Sequence, residues 1–321
     1  MAGNTNYTEA LVASIEARSP IVQDNFTKNN ALLSWLKKKG KVKTFSGGTK
    51  IIQPLSYAEN GNVVSFSGAE ELPIASSEVL TAPEFAIKQY ACAVVQTGLE
   101  DLQNADGPSR QVDLLAAKMA VAEGTMANKL SEDLYSDGTS NGSKGITGLE
   151  ALLSADPTTG TYGNINRATA GNEFWRHQLN DVTISTSNAS GEMMELWAAC
   201  KRGADEVDLI LVGNQFWSDF TGQLQPLQRF ESGDTAQVGF SSIKFNNAMV
   251  VLDGGIGGYA DTDDAYFINS KYVHWRPHAD CNMVPSKKKS SVNQDAEVVF
   301  LMFAGNLTCS GAKFCGRLKG D

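Results

Sequence analysis

Between His274 and Cys281 the chain reads His-Trp-Arg-Pro-His-Ala-Asp-Cys, which gathers side-chain types that ligate zinc. The spacing argues against such a site. Pro277 breaks any helix that would align His274 with His278, and no fourth ligand is identified, so no metal is expected. Cys309 and Cys315 are too far apart for a Cys-x-x-Cys pair and read as small hydrophobes. Asp261-Thr262-Asp263-Asp264 offers oxygens to calcium but lacks the loop glycine and the closing glutamate, so a solvated loop is expected. Gly254-Gly255-Ile256-Gly257-Gly258 has neither dinucleotide-fingerprint spacing nor the Lys-Ser/Thr of a phosphate loop, and reads as flexible. No Gly-x-Ser-x-Gly or His-Glu-x-x-His occurs, and three histidines leave little for acid–base work. An α/β enzyme built on residues 174–270 is therefore disfavoured. No catalytic residue, no cofactor and no metal are expected.

What the sequence does specify is architecture. Residues 109–135 carry Val112, Leu115, Met119, Met126, Leu130 and Leu134 at steps of three, four and seven, one stripe of a long helix. Ser109 is the expected N-cap and Gly138 the expected left-handed terminator. A rod with one narrow apolar stripe needs a sheet to lie on. Upstream, 8–17 and 30–39 read as short amphipathic helices, the second with Leu32, Leu33, Trp35 and Leu36 and closed by Gly40. Asn60-Gly61 between 50–57 and 62–66 signals a two-residue hairpin, with Pro54 confining its first strand to an edge. A strand follows Ala82-Pro83, with Phe85, Ile87, Ala91, Ala93 and Val95 on one face, Lys88, Tyr90 and Gln96 on the other. A short helix is expected at 98–104. Downstream, helices are expected at 148–153, 192–202 and 214–224, the last capped by Asn214. Strands are expected at 208–212, 242–252, 265–268, 272–275 and 298–304, the last buried on both faces.

The chain has 321 residues, 42% hydrophobic and only 20% charged, enough for a core and lean for a fully solvated surface. A net charge of −9 excludes a whole-surface binder of nucleic acid. Two basic runs stand out against it, Lys37 to Lys43 and Lys287 to Lys289. Five scattered cysteines read as reduced thiols in a cytosolic setting. No secretion signal or membrane-length apolar stretch is visible, so no membrane partner is expected.

In that order, the pieces resemble the major capsid proteins of tailed bacteriophages, the Hong Kong 97-type fold. The resemblance rests on Thr97-Gly98-Leu99-Glu100-Asp101-Leu102, the long helix, and Gly145-Ile146-Thr147-Gly148-Leu149. Further along it rests on Asp208-Leu209-Ile210-Leu211-Val212-Gly213-Asn214-Gln215-Phe216-Trp217 and on Phe303-Ala304-Gly305-Asn306-Leu307. It implies an α+β fold with an N-arm (1–43), an extended E-loop hairpin (44–82), a peripheral domain with the spine helix (83–144) and an axial domain (145–270). Residues 271–321 would supply the return strands of the peripheral domain and the C-terminus.

It also implies a function: pentamers and hexamers of the chain closing as an icosahedral shell around phage double-stranded DNA, assembled in the host cytoplasm and retained in the virion. The implied partners are further copies, a portal, possible decoration proteins and a separate scaffolding protein or none, since no scaffold segment fits ahead of the hairpin. Contact with packaged DNA would be weak and non-specific. Lys50 lies in the hairpin, but no asparagine partner is identified and no covalent crosslink is expected. The alternative reading is an encapsulin-type compartment shell of the same fold. The physics agrees, because an arm and a two-stranded ribbon cannot bury themselves and a shell lets neighbours cover them.

Overall fold

The computed structural model describes residues 30–103, 108–224, 242–254, 258–290 and 293–320, so the helix expected at 8–17 lies outside it. The first described helix, α1 (Ala31–Lys38), starts where the Asn30 side chain accepts the Leu33 N–H at 3.0 Å. Its Leu32, Leu33 and Leu36 are fully buried. After Gly40, at φ +67°, residues 41–45 run alongside a later strand.

The ribbon comes next: β1 (Lys50–Ile52), β2 (Leu55–Ser56), β3 (Leu80–Thr81) and β4 (Glu84–Ala86). β1 pairs with β4 and β2 with β3, both antiparallel and in one continuous register. This corrects the hairpin expected at Asn60-Gly61. A turn does form there, with the Asn62 N–H on Asn60 Oδ1 at 3.0 Å, but 62–66 is not a strand. The register is set far from the turn, by Ile51 and Phe85 on the core. It carries the tip out to Gly68, whose φ is +65°.

β5 (Lys88–Thr97) leads through α2 (Gly98–Gln103) to the long helix α3 (Pro108–Tyr135), roughly 40 Å at 1.5 Å per residue. As described it runs from Pro108, so Ser109 lies inside the helix and is not its N-cap. Met119, Ala122, Met126, Leu130 and Leu134 form its buried stripe. β5 corrects a second expectation. Its residues alternate, but Cys92, Val94 and Gln96 face inward while Ala91, Ala93 and Val95 are exposed, because α3 packs on the Val94 side with Met119 and Ala122.

Two short helical turns, α4 (Ser140–Ser143) and α5 (Leu149–Leu152), precede a small ribbon, β6 (Thr161–Tyr162) with β7 (Ile165–Asn166). Then come β8 (Gln178–Asp181), α6 (Ala189–Cys200), β9 (Leu209–Val212), α7 (Asn214–Leu224), β10 (Ser242–Phe245), β11 (Ala248–Leu252) and β12 (Ala265–Ile268). Asn214 opens α7, but its first-turn donors Gln215 and Phe216 go to the Thr262 carbonyl at 3.0 and 3.1 Å. The chain closes with β13 (Val273–Pro285), β14 (Lys289–Ser290), β15 (Ala296–Cys309) and β16 (Gly316–Lys319).

Two main sheets result. In the first, β15 is flanked on one side by β13 and β14 and on the other by β5, which pairs with it antiparallel over ten residues. β15 is buried on both faces only from Phe303 onward; between Val298 and Met302 burial alternates, correcting the expectation for 298–304. The second sheet has the order β10-β11-β9-β12-β16-β8. Here β16 departs from the expected division: residues 316–319 enter the six-stranded sheet between β12 and β8, not the sheet under the long helix.

β9 explains how the two cores meet. Leu209 and Leu211 point into the main core with α1, the end of α3, Trp275 and Phe303. Ile210 and Val212 point into a second core under α6 and α7, with Met193, Leu196, Phe216 and Phe220. A strand buried on both faces reads as a continuous apolar run, as Leu-Ile-Leu-Val does.

Candidate assembly surface

The residues with chemical potential are taken up by structure. His274 is buried on β13 and His278 meets the Phe45 ring edge-on at 5.0 Å. Cys309 and Cys315 are buried free thiols. Among the described residues no three His, Cys, Asp or Glu side chains converge as a metal site. The 261–264 loop is not simply solvated: Asp264 is buried and, with Asp261 at 3.0 Å, pairs with Arg317 of β16. Arg317 also donates to the Leu153 carbonyl at 3.2 Å and lies over the Tyr266 ring. This ion pair, missed from the sequence, fastens the end of the chain to α5 and β12.

A polar knot fixes the root of the ribbon. The Asn306 side chain, fully buried on β15, accepts the Thr147 N–H at 3.0 Å and donates to the Ala86 carbonyl at 2.8 Å. Tyr90 accepts the Ile146 N–H at 2.8 Å and donates to Asp133 of α3, and burial and that carboxylate hold its hydroxyl far above the usual phenol range. Gly148 sits against the last carbonyls of α3, where a Cβ would lie 2.4 Å from Leu134 O and 2.5 Å from Asp133 O. The Gly145-Ile146-Thr147-Gly148-Leu149 segment is thus the clamp joining helix end, ribbon root and β15.

Beyond that clamp the ribbon is anchored on one side only. Ile51, Leu55 and Phe85 are buried, Lys50 pairs with Glu84 at 2.5 Å, and Arg276 donates to Gln53 at 2.6 Å. The tip is different. Ile74 is 94% exposed, Val63 85% and Phe66 61%, with Leu72 and Leu80 also exposed. Val95 on β5, Leu99 on α2 and Val121 on α3 are also exposed. Exposed apolar residues concentrated on one projecting element mark a contact surface. The Lys37 to Lys43 run is placed beside β13: Lys43 N–H donates to Trp275 O at 2.9 Å, and Trp275 N–H to Lys41 O at 3.1 Å.

A clamped two-stranded ribbon, a long helix across one sheet and a second, mixed sheet define an α+β subunit with a projecting arm. Solved structures share this arrangement. The cyanophage A-1(L) capsid asymmetric unit superposes with a TM-score of 0.57 at 12% identity, covering 87% of this chain and 90% of that one. The capsid of Myoviridae phage XM1 gives 0.54 at 14%, covering 88% and 91%. The capsid of a native GTA particle gives 0.55 at 11%, covering 89% and 90%. The chain therefore has the Hong Kong 97-type fold, shared with phage capsid proteins. No protein-family model and no curated protein matches its sequence.

Proposed function

We propose that this chain is a non-enzymatic structural subunit whose copies join as pentamers and hexamers into an icosahedral shell around double-stranded DNA. The observation that carries the reading is the ribbon. Its root is tied down through Asn306 and Gly148, yet among the described residues nothing covers the exposed Val63, Phe66 and Ile74. Likeness of fold to phage capsid subunits supports the same conclusion. In the shell, 1–43 acts as arm, 44–82 as E-loop, 83–144 and most of 271–321 as peripheral domain, and 145–270 as axial domain. A separate scaffolding protein and a portal take part in assembly in the host cytoplasm, decoration proteins can be added, and the product is part of the virion.

Nuclease treatment of purified particles followed by extraction tests the reading. Protected double-stranded DNA is the expected result. Particles holding a packed enzyme and no DNA would instead mean a protein compartment.

A further inference from the structure

We propose that the buried guanidinium of Arg167 holds a small monovalent anion of the chloride class, with the Tyr162 hydroxyl as its second donor. The site belongs to the folded subunit, so its test is independent of the shell reading.

Among the described residues two arginines are buried, and their surroundings are opposite. Arg317 meets the carboxylates of Asp264, Asp261 and Glu150. Arg167 is only 2% exposed, and among the described residues no carboxylate lies within ion-pair distance of it. Its Nη2 donates to the Leu152 carbonyl at 2.6 Å and its Nη1 to Ser154 Oγ at 3.0 Å, both neutral acceptors. Its buried Nε–H has no acceptor there. Burial works against the charge, and the ionisable neighbours that act on it are the Tyr162 phenol and the Cys309 thiol. A buried charge left in that state is costly.

A second orphan donor lies beside the first. The guanidinium sits over the Tyr162 ring, 5.3 Å from its centre. The Tyr162 hydroxyl is buried and, among the described residues, has no hydrogen-bond partner. Since Nε–H and this hydroxyl do not bond each other, both are left for a third group that accepts from the two. A water molecule accepts such bonds but brings no charge. An anion accepts them and also compensates the guanidinium. Full burial favours a monovalent ion over phosphate, whose larger charge costs more to desolvate.

His177 is a neighbour of the site and not a ligand. Its Nε2 donates to the Ser154 carbonyl at 2.9 Å, which leaves Nδ1 an acceptor. The loop that carries the site also supports the ribbon. The Tyr162 ring meets Phe85 edge-on at 5.2 Å, and the Glu84 N–H donates to the Gly163 carbonyl at 2.9 Å. A bound anion therefore braces the seat of the ribbon's root.

Urea unfolding of the purified full chain in sodium chloride and in sodium gluconate, at equal ionic strength, tests the site. An ion bound only by the folded state should raise the folding equilibrium constant by about tenfold for each tenfold rise in chloride above its Kd. Bromide should replace chloride. Tyr162→Phe, which removes only the unpartnered hydroxyl, should weaken the chloride response so that about tenfold more chloride is needed. Arg167→Gln should abolish the response, and if that variant does not fold, Tyr162→Phe decides alone. Equal stability of wild type in the two salts overturns the proposal and makes water the occupant. A chloride response of the same size in Tyr162→Phe as in wild type also overturns it, as a general salt effect.

Discussion

The Asn306 side chain holds the Thr147 backbone N–H at 3.0 Å across 159 residues of sequence. With its second bond, to Ala86, one buried amide joins β15, the clamp after the long helix and the ribbon root. The ribbon's base is tied to the core by that amide while its tip is exposed, and the predictions below separate the two.

Asn306→Ala should destabilise the unassembled subunit by about 2 kcal/mol, because it empties a fully buried side-chain site and takes away the partners of the part-buried Thr147 N–H and Ala86 carbonyl. Asn306→Asp should do no better, since it loses the donor to Ala86 and buries a charge. Urea unfolding of the subunit measures both.

Gly148→Ala should cost about 2–3 kcal/mol or prevent folding, since its Cβ would press on three helix-terminal carbonyls. Gly191→Ala on α6, where a Cβ meets nothing within 4 Å, should be tolerated. Thermal unfolding of the two variants side by side gives the comparison.

Met126→Glu should abolish soluble subunit, since Met126 lies in the main core, and Met119→Glu should do the same beneath β5. Ile74→Asp should leave the subunit's unfolding within about 0.5 kcal/mol of wild type yet block particle formation. Equal effects of the core and tip charges on folding would contradict the division between spine and ribbon.

His177 gives a pH signature. Burial, with Arg167 and Arg317 nearby, lowers its pKa to about 3, while its Nε2 donates to the Ser154 carbonyl at 2.9 Å. The unfolded chain takes that proton near 6.5. Between those values the unfolded state binds more protons, so stability falls as pH drops from about 6.5 toward about 3. His177→Gln retains a donor and cannot titrate. It should remove about 2 kcal/mol of the loss seen near pH 4.5 in urea titrations across pH. Asp253, Asp264 and Glu150, raised by burial, act in the opposite sense, and the substitution leaves them unchanged.

Local signals in the sequence were reliable where one neighbour decides the outcome. The helix with Leu32, Leu33 and Leu36, the stripe from Met119 to Leu134, and the unbroken Leu209 to Val212 run all act within a few residues. Where distant partners decide, they misled. Ala91, Ala93 and Val95 are as apolar as Cys92 and Val94, so the buried face of β5 depends on which side α3 occupies. Asn60-Gly61 makes its turn, but Ile51 opposite Phe85 sets the ribbon's register. Arg317 meets Asp264 only because β16 crosses into the second sheet, a pairing no short window contains. The ribbon was legible as an element unable to bury itself, and its exposed Val63, Phe66 and Ile74 agree with that reading.

Electron microscopy of the purified full chain, with and without a candidate scaffolding protein, tests the central claim most directly. Closed shells, or rings of five and six subunits, are the expected result. A folded chain that stays monomeric under every condition would contradict the account.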